Sequence, residues 1–194
     1  EISLGLVGSE MCIRDRVNNA SNLFSVQHIV NFFKSKNRKV SYDTLSNYLG
    51  YIEEAFLAYK TERYNIKGKD VVAGNCKYYL NDLSFKNFLY PGFAYGVGYL
   101  LENAVYLELR RLGYIVYTGS FRDKEVDFVA MKDDRVIYLQ ATYMLETAQT
   151  MEREYAPLLT IGDNYEKYVV SMDEVQFPSN EGVRHCLLYT SDAA

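Results

Sequence analysis

Apolar and polar positions follow two different periods along this chain, and the period changes several times. Within residues 22–37, Leu23, Val26, Ile29, Val30 and Phe33 recur at three- and four-residue spacing, which predicts a helix. Ser41 then reads as the cap of a short helix through Leu45, and Leu45, Tyr48, Leu49, Ile52 and Phe56 carry an apolar stripe onward. Residues 55–65 and 76–82 are β-prone runs, joined by a loop over 66–75 whose Gly68 and Gly74 suit turns. Helices followed by a basic, glycine-containing hairpin describe a winged helix, in which one helix enters a DNA groove and the wing meets phosphate. Lys39, Tyr42, Thr44, Asn47, Lys67 and Lys69 are its candidate DNA contacts.

Beyond a linker around Pro91, Leu101, Val105, Leu109 and Leu112 form one face of a helix, with Gly113 placed to end it. Glu102 lies near the start of that helix, where the dipole favours a carboxylate. Residues 114–118 read as a strand, 125–142 as a β-hairpin, 147–161 as a helix bent or shortened at Pro157, and 165–172 as a last strand. The expected class is therefore α/β (α+β), an α-β-β-β-α-β order with a mixed sheet behind the winged-helix-like segment.

The hairpin carries the chemistry. With Asp133 and Asp134 as its central turn residues, Asp127 faces Gln140, Glu125 faces Thr142, Val129 faces Tyr138 and Met131 faces Val136. One face then holds Val126, Phe128, Ala130, Ile137, Leu139 and Ala141 and must be core, and a one-residue slip would expose that whole set. Glu125, Asp127, Gln140 and Thr142 cluster at the far end of the other face. An acid followed across a hairpin by acid-any residue-lysine is the pattern of PD-(D/E)XK nucleases. There, carboxylates hold Mg²⁺ and the metal lowers the pKa of bound water. Here Gln140 stands at the second acid and Thr142 at the lysine. Glu102 is the candidate replacement carboxylate, Lys124 and Arg153 are candidate cations, and Glu152 is a further acid within reach of the polar end. The metal ligands read from this pattern are Asp127 and Glu102. A hydrogen-bonded cap on a sheet end, a site that binds without cutting, and an active nuclease all remain open.

Residues 40–69, the run Lys77–Asp82, residues 100–119, Glu125–Ala130, Tyr138–Tyr143 and residues 150–174 together resemble the C-terminal portion of prokaryotic AAA-type ATPases. That portion is known only as a domain of unknown function. The resemblance covers nearly all of residues 17–185. It implies a winged-helix segment over 17–90, a PD-(D/E)XK-like domain over 91–185, and an ATPase module elsewhere in the full chain as partner. ATP would act only through that module, because no G-x-x-x-x-G-K-[ST] run occurs and the glycines of residues 92–99 lack its lysine and hydroxyl.

Charge and termini refine this picture. Residues 17–72 hold eight Lys/Arg against five Asp/Glu, net +3, whereas 73–185 hold eleven against sixteen, net −5. A basic front is compatible with DNA as a partner, though protein-binding modules share such balances. Residues 1–16 and 186–194 read as translated sequencing-adapter strings and are set aside. That leaves Cys76 as the only native cysteine, too few for a disulfide framework, in keeping with a reducing cytoplasm. No apolar run approaches the ~18 residues a membrane span needs. His28 and His185 have no Cys or His at metal spacing.

Overall fold

The computed structural model describes residues 25–85 and 96–189. Among these, four helices and a seven-stranded mixed sheet are formed. The helices are α1 (Val26–Ser35), α2 (Tyr42–Glu54), α3 (Val97–Arg111) and α4 (Ala148–Leu159). The strands are β1 (Ala58–Asn65), β2 (Asp70–Leu80), β3 (Ile115–Phe121), β4 (Lys124–Lys132), β5 (Arg135–Ala141), β6 (Glu166–Ser171) and β7 (Val183–Leu187). The order across the sheet is β2-β1-β3-β4-β5-β6-β7. The three central strands run antiparallel to one another, while β1 joins β3, β6 joins β5 and β7 joins β6 in parallel. Among the described residues, no helix is long and apolar enough to cross a membrane.

The chain divides into two compact units, Glu1–Thr61 with Gly74–Ala94, and Glu62–Ala73 with Tyr95–Ala194. In the first, α1 and α2 pack through Ile29, Phe33, Leu45, Leu49 and Ile52, all buried. Ser25 and Ser41 cap the two helices, each accepting from the backbone N–H three residues on. The helix begun at Ser41 does not stop at Leu45; it runs to Glu54. Its end is a Schellman turn, with Leu57 N–H on the Ile52 carbonyl and Phe56 N–H on that of Glu53. Phe56 therefore takes a left-handed backbone (φ 53°) and stands 66% exposed, outside the apolar stripe in which its spacing had placed it.

The second unit is organised around the sheet. Arg63, Tyr64 and Asn65 pair with Thr118, Gly119 and Ser120, which draws the distal part of the β1–β2 hairpin into this unit rather than leaving it with the helices. The hairpin turn is also tighter than the expected loop, because β2 already begins at Asp70. One sheet face is covered by α4, where Val126, Val129, Tyr138, Tyr155, Leu158 and Val169 share a core. The opposite face meets α3, whose Tyr106 ring lies 6.3 Å from that of Phe128. Gly113 (φ 85°) ends α3 in the same Schellman geometry as Phe56 ends α2. Pro157 lies in the last turn of α4, two residues before the helix ends. A strand follows the one expected to be last: β7 includes Cys186 and Leu187, which pair with Val170 and Ser171 although they fall in the string read as adapter.

Candidate functional site

The hairpin forms in the expected register. Phe128 faces Leu139, Val129 faces Tyr138, Met131 faces Val136 and Lys132 faces Arg135, with Asp133 taking the positive φ that the turn needs. Toward the polar end the pairing with β3 is irregular. Tyr117 faces Val129 but Gly119 faces Val126, so β4 advances three residues while β3 advances two. This is a β-bulge, and it places Thr118 opposite both Asp127 and Phe128. The bulge also turns Val126 onto the α4 side beside Val129, away from Phe128 and Ala130, with which simple alternation had grouped it. A Cβ placed on Gly119 would lie 2.9 Å from atoms of both valines, which confirms the shared side. On the second hairpin face, Val129 and Tyr138 are buried in the α4 core.

At the bulge the ladder is completed by side chains. The Asp127 carboxylate accepts the Ala141 N–H at 2.8 Å, and the Gln140 amide oxygen accepts the Asp127 N–H at 3.3 Å. Asp127 is buried, as is Thr142, whose backbone N–H goes to the Val170 carbonyl. Asp127 and Gln140 thus meet through the Asp127 backbone N–H and not as a cross-strand pair of the ladder, and each uses a side-chain oxygen to accept a backbone N–H. Arg153 pairs at 2.6 Å with its buried neighbour Glu154, so it is committed on α4 instead of serving as the displaced cation. Lys124 opens β4 opposite Phe121.

Glu102 lies on α3, one residue before the buried Asn103. The chain reverses at Gly113, so Asn103, ten residues earlier in a helix, lies ~15 Å back along α3. Thr118, five residues after Gly113 in a strand, lies ~16 Å along β3. Asn103 and Thr118 are both fully buried, and α3 packs on β3, β4 and β5. Two buried or half-buried polar residues of the sheet escaped sequence reading: Thr118, and Arg63, its register partner on β1. Nothing local marks either residue, because their proximity is created by a parallel pairing across more than fifty positions.

The candidate DNA contacts fall in different units. Lys39, Tyr42, Thr44 and Asn47 are exposed at and before the start of α2, and Thr44 is engaged with Ser41 in the helix cap. Lys67 and Lys69 are exposed at the hairpin turn of the second unit.

A further polar cluster, Ser171, Asp173 and His185, has the residue types of a nucleophile triad but the wrong proton order. His185 Nδ1 accepts the Phe177 N–H at 2.8 Å, so its ring proton lies on Nε2 and points at Ser171 Oγ, 2.8 Å away. The Ser171 hydroxyl donates instead to Asp173 Oδ2 at 2.6 Å. No base is positioned to take the serine proton through an acid-oriented imidazole. All three are buried, burial lowers the His185 pKa with Asp173 opposing, and the cluster fastens β6, β7 and the Leu145 N–H together.

The chain is 35% identical over 153 residues to an uncharacterized protein of Haemophilus influenzae, covering 79% of this chain and 38% of that protein. It is 32% identical over 142 residues to an uncharacterized protein of Methanocaldococcus jannaschii, covering 71% of this chain and 31% of the relative. The chain thus spans well under half the length of these curated relatives and corresponds to a region of longer prokaryotic proteins. No protein-family model and no solved structure matches it.

Proposed function

We propose that this chain is the C-terminal region of an AAA-type ATPase, acting as a DNA-associated accessory module whose nuclease-like domain does not cut. One observation carries the reading: the acid at the centre of the hairpin and the residue opposite it are spent on the sheet. Asp127 holds the Ala141 N–H and Gln140 holds the Asp127 N–H. Mg²⁺ requires near-octahedral oxygen ligands and is commonly anchored by carboxylates. Among the described residues no group of three or more His, Cys, Asp or Glu is placed to hold a metal ion, and no step is routed through one.

DNA association is tested by fluorescence anisotropy of a labelled duplex titrated with the chain at several salt concentrations. Phosphate contacts release counterions, so affinity should fall steeply and linearly on a log–log plot. Binding insensitive to salt, or absent at ~100 μM protein, refutes it, since even non-specific sites bind at about that concentration or tighter.

A further inference from the structure

We infer that residues 174–182 form a proton-sensitive strap over the outer edge of β7, held shut by neutral His185 and released when that ring takes up a proton. β7 is the last strand of the sheet, and an uncovered edge leaves backbone groups unpaired. The strap covers this one. Glu181 and Gly182 both take left-handed backbones (φ 47° and 87°), the geometry of a two-residue hairpin turn, which brings Asn180 back onto Val183. Asn180 and Val183 exchange both backbone hydrogen bonds at 2.9 Å, and Ser179 Oγ donates to the Val183 carbonyl at 3.1 Å. Gln176 Nε2 donates to the His185 carbonyl at 2.7 Å, and the Phe177 N–H donates to His185 Nδ1 at 2.8 Å. From Glu174 to Asn180 every residue is exposed except Phe177, which packs on the α4 core with its ring centroid 5.1 Å from that of His185. The apolar anchor of the strap and its imidazole anchor are therefore the same residue pair.

Of the strap's bonds, the one to the imidazole is the one a proton breaks. Nε2 faces Ser171 Oγ, whose hydroxyl is given to Asp173, so the neutral ring keeps its proton on Nε2 and its lone pair on Nδ1. A proton added at Nδ1 turns that acceptor into a donor and sets it against the Phe177 N–H, which cannot accept. Asp173, on the loop after β6, is the charged group that acts on the ring; burial outweighs it and keeps the imidazole pKa below its ordinary value. Tyr155 of α4 adjoins Asp173 and Cys186, and burial keeps its phenol protonated. Arg184 projects to the other sheet face beside Tyr168, and Glu174 and Glu181 of the strap are exposed. An open strap returns His185 to water and to its ordinary pKa. Closure is therefore strongest above about pH 6.5 and weakens as pH falls toward the closed-state value. All these contacts end on Val183 and His185, upstream of the string read as adapter.

The test is hydrogen exchange read by mass spectrometry on the full chain from pH 8 to 5, corrected for the intrinsic pH dependence of exchange, in wild type, His185→Gln, Gln176→Ala and His28→Gln. On acidification across that range the wild-type strap should exchange about tenfold faster, roughly what one hydrogen bond contributes, while β4 and β5 stay protected. His185→Gln, whose side chain does not titrate, should exchange at one rate throughout. Gln176→Ala should exchange faster at every pH and keep the tenfold rise, because the bond it removes does not titrate. His28→Gln, which alters an exposed histidine of α1, should behave as wild type. In wild-type NMR spectra the Phe177 amide and the His185 ring should titrate with one midpoint, a readout that stands whether or not His185→Gln folds. Strap protection constant with pH, a rise that persists in His185→Gln, or separate midpoints for Phe177 and His185 overturns the inference. So does loss of protection in the strap and in β4 and β5 together, which would be unfolding of the whole unit.

Discussion

Among the described glycines, Gly119 should be the least able to accept a methyl group. It sits in β3 opposite Val126, at the point where the β4 bulge turns two valines toward one side. An ideal Cβ there would lie 2.9 Å from Val126 Cβ, 2.9 Å from Val129 Cγ2 and 3.1 Å from Ile66 Cδ1. All three neighbours are buried core, so none can swing into solvent. Overpacking of this kind costs about 1–3 kcal/mol. The entropy that alanine removes from the unfolded chain returns ~0.4–1 kcal/mol. The net expectation for Gly119→Ala is a loss of about 1–2 kcal/mol, or roughly 2–8 °C in melting temperature for a fold of this size. Gly50 provides the opposite case. It lies inside α2 with no atom within 4 Å of its built Cβ, so Gly50→Ala should gain up to ~1 kcal/mol from helix propensity. Thermal and urea melts followed by circular dichroism read both. If Gly119→Ala melts at or above wild type, the bulge does not crowd Gly119 and the placement of Asp127 derived from it fails.

Replacing Phe56, the exposed left-handed end residue of α2, with glycine should raise stability by ~0.5–1 kcal/mol, as Gly113 already does at the equivalent turn of α3; a lower urea midpoint would contradict this. His185 is held neutral by burial, with its pKa below the ordinary 6.5. The unfolded chain then binds a proton that the folded chain refuses, so stability should decline as pH falls through about 6.5 and level off only below the folded pKa. Urea midpoints between pH 8 and 5 check the decline, and a slope unchanged in His185→Gln would refute its assignment. Asp127→Ala should cost ~1–3 kcal/mol because it strands the part-buried Ala141 N–H, while Asp127→Asn, which keeps an acceptor, should cost less. A stability gain in Asp127→Ala would instead mark a strained functional acid.

The hairpin was legible because its information is local. Alternating apolar residues and a two-aspartate turn set the pairing from Phe128–Leu139 to Lys132–Arg135 without help from other strands. The bulge was not legible, because it arises where β3, with Gly119 in place of a side chain, lets Val126 and Val129 meet on one side. The element order of the second unit followed from period changes, and Gly113 marked the end of α3 as glycine should. Phe56 misled for the opposite reason: its spacing matched the stripe, but the α2 carbonyls were satisfied by ending the helix before it. β7 was lost because its last residues were assigned to an adapter string, and with it went the partners of His185. Arg63 and Thr118 meet only through a parallel pairing that no window of sequence contains.

The central claim is that Asp127 completes the sheet and the site does not cut. Supercoiled plasmid incubated with the chain in Mg²⁺ and, separately, Mn²⁺, beside Asp127→Ala, tests it most directly. The account predicts that wild type and variant leave the plasmid equally intact while wild type binds it in a salt-dependent way. Nicking by wild type that disappears in Asp127→Ala would contradict the account and make the hairpin a working nuclease site.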